Sequence, residues 1–167
     1  MTADAVIDAF GKDTGIFTLM NTAYGWPIAE SLHFIGLSLL LGTIGIVDLR
    51  LLGYARVVPL LALHKLTRFG IIGFAMNVVT GFAFFVSAPD QYLYNPAVQL
   101  KMLCILIAGA NMVVFYAFVW PGIRASQTVS LLARVCAGVS LSAWLGVILF
   151  GRLITFYRPP EHWCWWC

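Results

Sequence analysis

Four stretches of the chain are apolar over enough residues to cross a bilayer, a spanning helix needing roughly 20 of them. They lie near residues 27–49, 68–88, 98–120 and 130–155. The intervening segments read differently. "LLGYARVVPLLALHKLTR" is interrupted by Arg56 and Pro59 and predicts a loop lying on the membrane surface. "APDQYLYNPAV" carries the turn formers Pro89, Asp90, Asn95 and Pro96, with Tyr92 and Tyr94 placed as interfacial anchors. "WPGIRASQ" predicts the close of the third span in the same way. Residues 1–26 predict an outer-side interfacial segment, amphipathic or irregular, with Phe10, Ile16, Phe17 and Leu19 able to enter the interface. Trp26-Pro27 marks entry to the first span, proline being tolerated in a first helical turn. The expected fold is therefore all-α, an integral membrane four-helix bundle over 27–157 preceded by the interfacial segment and followed by a tail, 158–167.

Lipid tails are as apolar as leucine, so helices in a membrane gain contact energy chiefly where small residues let backbones approach. The second span offers Gly73, Asn77 and Gly81 at intervals of four, the fourth Gly138, Ser142 and Gly146. Both predict interhelical seams. Cys104 and Cys136 lie within spans, where a cysteine acts as a small buried apolar residue. The order of helices around the bundle does not follow from the pattern.

Composition agrees with a membrane location: 61% of the 167 residues are hydrophobic and 10% charged, with a mean hydropathy of +0.90. The formal charge of +3 comes mainly from residues at the span ends. Arg50, Arg56, Lys65 and Arg68 flank the first connection and Arg124 and Arg134 the third, against Lys12 before the first span and Lys101 after the second connection. By the positive-inside bias the spans run out, in, out, in, with both termini outside the cytoplasm, although Arg152 and Arg158 run against it. Asp4 and Asp8 near the start, followed by a full span, predict no cleavable signal peptide. A charge of this origin gives no reason to expect a nucleic-acid partner; the expected surroundings are the lipid bilayer. No phosphate-cradling glycine loop, nucleophile elbow or internal repeat is present.

The chemistry concentrates in one layer. "ESLH" places Glu30 and His33 three residues apart, and hence on neighbouring positions of one helical face. At about 1.5 Å per residue, His33 lies roughly 9 Å inside the outer end of the first span, and Lys101 and Arg152 about 5 Å inside the outer ends of the third and fourth. Ionisable groups in a span are costly and usually face partners or a cavity. Two readings stay open: a salt-bridge layer joining Glu30 to Lys101 or Arg152, and a site in which His33 is a ligand or proton-handling group. His64 belongs to the opposite end, on the order of 25 Å away across a core about 30 Å thick. It reads as an interfacial histidine beside Lys65 and Arg68. Asp48 reads as a partner of Arg50 or Arg68, and Asn77 and Asn111 as interhelical hydrogen-bonding groups. Trp144 either lines a cofactor pocket or packs the core. In the tail "EHWCWWC", His162, Cys164 and Cys167 could form a disulfide, a redox pair or three ligands for copper or zinc.

"ESLHFIGLSLLLGTIGIVDLRLLG", "GFAMNVVTGFAFF" and "NPAVQLKMLCILIAGANMVVFY" together resemble an uncharacterised bacterial four-helix membrane family over most of residues 26–120. The layout is more distantly similar to CopD-type copper-resistance proteins and HemJ-type protoporphyrinogen oxidases. Those have a histidine early in the first helix and, in the HemJ-type proteins, a lysine opening the third; His33 and Lys101 stand at those positions. The resemblance implies a b-type haem site there. HemJ-type proteins carry a Tyr-His pair late in the third helix, where this chain has Phe115-Tyr116.

Three functions are compatible with these features. In the first, the protein is a membrane haem b protein in electron transfer or small-substrate oxidation, with His33 as axial ligand, Lys101 or Arg152 beside the propionates and Glu30 orienting His33. Lys101 as second axial ligand is also open. In the second it handles copper or another metal through Glu30 and His33, with His162, Cys164 and Cys167 as an acquisition arm. In the third it is a structural subunit, as a homo-oligomer or within a membrane redox complex.

Overall fold

The computed structural model describes residues 15–54, 56–126 and 128–156, the side chain of Asp90 excepted. Over these residues the chain forms helices and no strands: α1 (Gly15–Met20), α2 (Gly25–Leu52), α3 (Leu60–His64), α4 (Thr67–Ser87), α5 (Pro89–Leu93), α6 (Pro96–Val114), a π-helical turn (Phe115–Val119), α7 (Trp120–Ser126) and α8 (Leu131–Phe156). Four runs are long and apolar enough to cross a membrane: Gly25–Leu52, Leu60–Ser87, Pro96–Ser126 and Leu131–Phe156. This is a multi-pass membrane protein. Residues 1–14 and the tail from 157 on, where the start of the interfacial segment and the Cys/His cluster were expected, lie outside the described residues.

Two connections are shorter than the polar interruptions predict. α2 ends in a Schellman motif: Gly53 sits at φ 103°, its N–H bonds the carbonyl of Arg50, and the Tyr54 N–H bonds that of Leu49 at 3.0 Å. Helical structure resumes after Pro59, so the surface loop is only 53–59 and the second apolar run starts at Leu60. Leu60 and Leu63 are buried and hold α3 against the bundle. The third run likewise continues through Trp120-Pro121 to Ser126. A proline inside a helix lacks an N–H and crowds the carbonyl four residues back. The chain absorbs this by widening the preceding turn, the Trp120 N–H reaching the Phe115 carbonyl five residues earlier.

α2 packs on α4 and on α8, α8 packs on α6, and α4 and α6 barely touch. Around the bundle the order is thus α4, α2, α8, α6. The ends of α1, α5 and α8 share one face, called here the termini face; the 53–59 loop and the α7–α8 connection share the opposite one.

The α2–α4 seam is the tightest. A Cβ on Gly36 would stand 2.8 Å from the Gly73 carbonyl oxygen, and one on Gly73 would overlap the Gly36 carbonyl oxygen. Thr43 Oγ1 would be 2.6 Å from a Cβ on Gly70. The contact positions alternate by three and four: His33, Gly36, Leu40 and Thr43 on α2, Gly70, Gly73, Asn77 and Thr80 on α4. That alternation keeps a straight seam, as in coiled coils. On α8 it selects Ala133, Ala137, Ser140, Trp144 and Val147, all buried. The expected Gly138–Ser142–Gly146 line is not the seam. Steps of four drift about 40° each around a helix, so Ser142 is exposed, Gly138 meets nothing within 4 Å, and only Gly146 packs, against Cys104. At the termini face Asn95 caps α6, its Oδ1 accepting the Ala97 N–H at 2.9 Å while Nδ2 donates to the Ile154 carbonyl of α8 at 3.3 Å.

Gly73→Ala is expected to destabilise the bundle by about 1–3 kcal/mol through overpacking, and Gly138→Ala to leave it unchanged. Thermal unfolding in detergent should show a lower midpoint for the first alone; equal midpoints would contradict the seam. Asn95→Ala removes a cap worth about 1 kcal/mol and a tie between α6 and α8, and should lower the same midpoint.

Candidate functional site

His33 projects from α2 toward α4, two turns in from the helix start. Its Nδ1 lies 2.7 Å from Thr80 Oγ1. Thr80 spends its single hydroxyl proton on the Met76 carbonyl, at 2.7 Å within its own helix. With the Thr80 proton on that carbonyl, the hydroxyl accepts from His33 Nδ1–H, and the neutral ring of that tautomer presents an unprotonated Nε2; the other tautomer would instead take the Thr80 proton on Nδ1. The ring sits edge-on to Phe84 with centroids 5.6 Å apart, and Phe84 in turn meets Trp26 at 5.0 Å. Gly81 leaves room for it: a Cβ there would be 3.9 Å from His33 Cε1.

Lys101 reaches the same layer from α6. Its stem lies along α8, with Cε and Nζ each 3.8 Å from the position of a Cβ on Gly151. The half-buried ammonium is within electrostatic reach of His33. It makes no hydrogen bond or ion pair among the described residues. His33 and Lys101 thus share a layer in which α4 and α6 make few direct contacts.

Glu30 and Arg152 do not join them. Glu30 is exposed and unpaired among the described residues. The buried line of α2 runs through Ala29, Gly36 and Leu40, with His33 between. A residue three before His33 is rotated about 60° off that line. Arg152 is exposed, its guanidinium 5.1 Å from the centroid of the Phe156 ring, because it follows Gly151, the residue that faces Lys101. The expected salt-bridge layer is therefore replaced by a histidine–threonine bond beside an unpaired cation. Thr80, not Glu30, is the group that orients His33. Hydrophobic pattern alone passes over Thr80; its signal is its place three residues beyond Asn77, on the small-residue line of α4.

The other polar residues of the spans sit elsewhere. Trp144 is buried with Leu40, Ala108, Ala143 and Val147 in the middle of the bundle and meets Phe74 edge-on at 6.3 Å, so its place is the core. Asn111 does bond across helices, donating to the Cys136 carbonyl at 3.0 Å. Asn77 does not: it donates to Gly73 of its own helix at 2.8 Å, and its Oδ1 is buried without a hydrogen-bond partner. Asp48, 6% exposed, lies near Ser140 of α8 rather than pairing with an arginine, and its Oδ2 is buried without a hydrogen-bond partner among the described residues. Arg50 donates instead to the Val58 carbonyl at 2.8 Å. At the far end His64 stacks on Trp120 with centroids 3.9 Å apart, its Nε2 3.2 Å from the Tyr116 hydroxyl. It is thus part of an aromatic cluster and plays no part in the His33 layer.

No group of three or more His, Cys, Asp or Glu residues is gathered to hold a metal ion among the described residues. His162, Cys164 and Cys167 lie outside them. Compared with known proteins the chain finds no match: no family model, curated protein or solved structure is recognisably similar to it.

Proposed function

We propose that the protein is a b-type haem protein of the bacterial inner membrane, its termini on the periplasmic side, acting in electron transfer or small-substrate oxidation at the His33 layer. The observation that carries the reading is the 2.7 Å contact between His33 Nδ1 and Thr80 Oγ1, in which the ring N–H donates when the Thr80 proton is held by the Met76 carbonyl. Histidines that ligate a metal almost always donate the other ring N–H to a fixed acceptor, which sets tautomer and ring orientation.

The donor set fits a porphyrin better than a bare cation. His33 Nε2 would bind the iron. The Lys101 ammonium, close by and without a carboxylate partner among the described residues, would neutralise a propionate, whereas it would repel a metal ion held by Glu30 and His33. Phe84 and Trp26 give an aromatic wall. A bound haem would supply one-electron chemistry at its iron. The protein's part is to orient one imidazole and to place one positive charge. The orientation rests on the excess of arginine and lysine at the face opposite the termini.

Mildly solubilised protein expressed with ample haem should give a Soret band and sharp reduced bands in a reduced-minus-oxidised spectrum, with pyridine haemochrome in proportion to protein. His33→Ala should abolish both. An unchanged haem content in that variant, or a colourless wild type, would overturn the reading. Thr80→Val should leave the bundle folded but weaken haem retention about 10–100-fold, the usual effect of removing the acceptor behind a ligand histidine; retention equal to wild type would detach Thr80 from the site.

A further inference from the structure

A cavity of about 310 Å³ opens at the face opposite the termini, between the end of α2 and the start of α8. Arg50, Arg56 and Arg134 line it together with Gly53 and Thr128. Leu51 and Val129 complete the lining, and three like charges gathered around one cavity repel one another unless an anion lies among them. No carboxylate lines this one. Among the described residues Asp48 is the sole acid near this face, and it is buried against Ser140 of α8.

Two of the three arginines are held by backbone carbonyls. Arg50 Nε donates to the Val58 carbonyl at 2.8 Å, and Arg56 Nε donates to the Gly53 carbonyl at 2.9 Å. Each bond spends one N–H and leaves the terminal nitrogens as donors. Gly53 makes the second arrangement possible. Its left-handed conformation turns the chain back at the helix end, and the missing Cβ gives the Arg56 guanidinium space, since a Cβ there would lie 3.3 Å from an Arg56 terminal nitrogen. Arg134, from the first turns of α8, is exposed and makes no side-chain hydrogen bond among the described residues. Thr128 contributes a hydroxyl, 2.7 Å from that of Ser126.

Three arginines bordering one cavity offer planar forks that a tetrahedral group with several charged oxygens can engage together, which a phosphate has and a carboxylate has not. We infer that this cavity is a binding site for a phosphate-bearing anion, held by Arg50, Arg56 and Arg134. The group comes either from an acidic phospholipid of the adjoining leaflet or from a soluble phosphate ester. The site is independent of the His33 layer, which lies at the other end of the bundle.

The test uses the full chain in a neutral detergent, titrated with phosphatidylglycerol in mixed micelles and, separately, with sodium pyrophosphate. Binding is read by native mass spectrometry and by the rise in unfolding midpoint. Binding of phosphatidylglycerol but not of phosphatidylcholine identifies a lipid headgroup site; binding of pyrophosphate identifies a soluble ligand. Arg134→Gln, which breaks no internal bond, should weaken the binding about tenfold, the loss of one charge-assisted contact. Arg56→Gln should do the same. The double variant Lys65→Gln/Arg124→Gln, basic residues outside the cavity, should bind as wild type does. Binding of neither anion, or an equal loss in the Lys65/Arg124 variant, would overturn the proposal.

Discussion

The backbone contact between Gly36 and Gly73 is the constraint on which the arrangement of this bundle rests. In water two helices associate because contact removes apolar surface from solvent; in lipid that gain is absent, and close packing must supply the attraction. Here each glycine faces the other's carbonyl oxygen, so neither tolerates a side chain. The approach fixes the register of α2 on α4. With that register set, His33 falls opposite Thr80 and Thr43 opposite Gly70. The functional candidate is thus a consequence of the packing, one helical turn along the same seam.

Most polar groups inside the spans meet the requirement that buried donors and acceptors be matched; among the described residues Asn77 Oδ1 and Asp48 Oδ2 do not. Thr80 and Thr43 return their hydroxyl protons to carbonyls of their own helices. Thr80 can do so and still accept from His33, which lets an ordinary intrahelical bond favour one tautomer of the ring. Asn111 and Asn95 tie α6 to α8, and these two bonds, at different depths, pin the second helix pair as the glycines pin the first. Pro121 then sets the shape of the third span, because the wide turn it requires lies beside Tyr116 and Trp120, the residues around His64.

Charge divides the molecule into two unlike ends. Toward the termini face lie one histidine and one lysine that is unpaired among the described residues; the opposite face gathers arginines around a cavity. Among the described residues neither Lys101 nor the arginines around the cavity pair with a carboxylate. Cations without carboxylate partners favour anions nearby, which is the physical ground of both proposals.

The sequence by itself determined the class of structure and the depth of each polar residue. Four apolar runs of spanning length leave few alternatives, and a helix advances a fixed distance per residue, so His33 and Lys101 could be placed in one layer without coordinates. It also marked Asn111 as a bond between helices and Asn95 as part of a turn. What it could not determine is rotation. Hydrophobic faces are indistinct where lipid and core are both apolar, so whether Glu30 or Thr80 serves His33, whether Gly138 or Ala137 lies in the seam, and whether Asp48 meets Arg50 or Ser140 depend on how each helix is turned about its axis. Only the tertiary structure decided those, through close contacts of small residues far apart in the chain. It likewise decided the order α4, α2, α8, α6, because which helices become neighbours depends on shape complementarity between their surfaces, and no single helix carries that information.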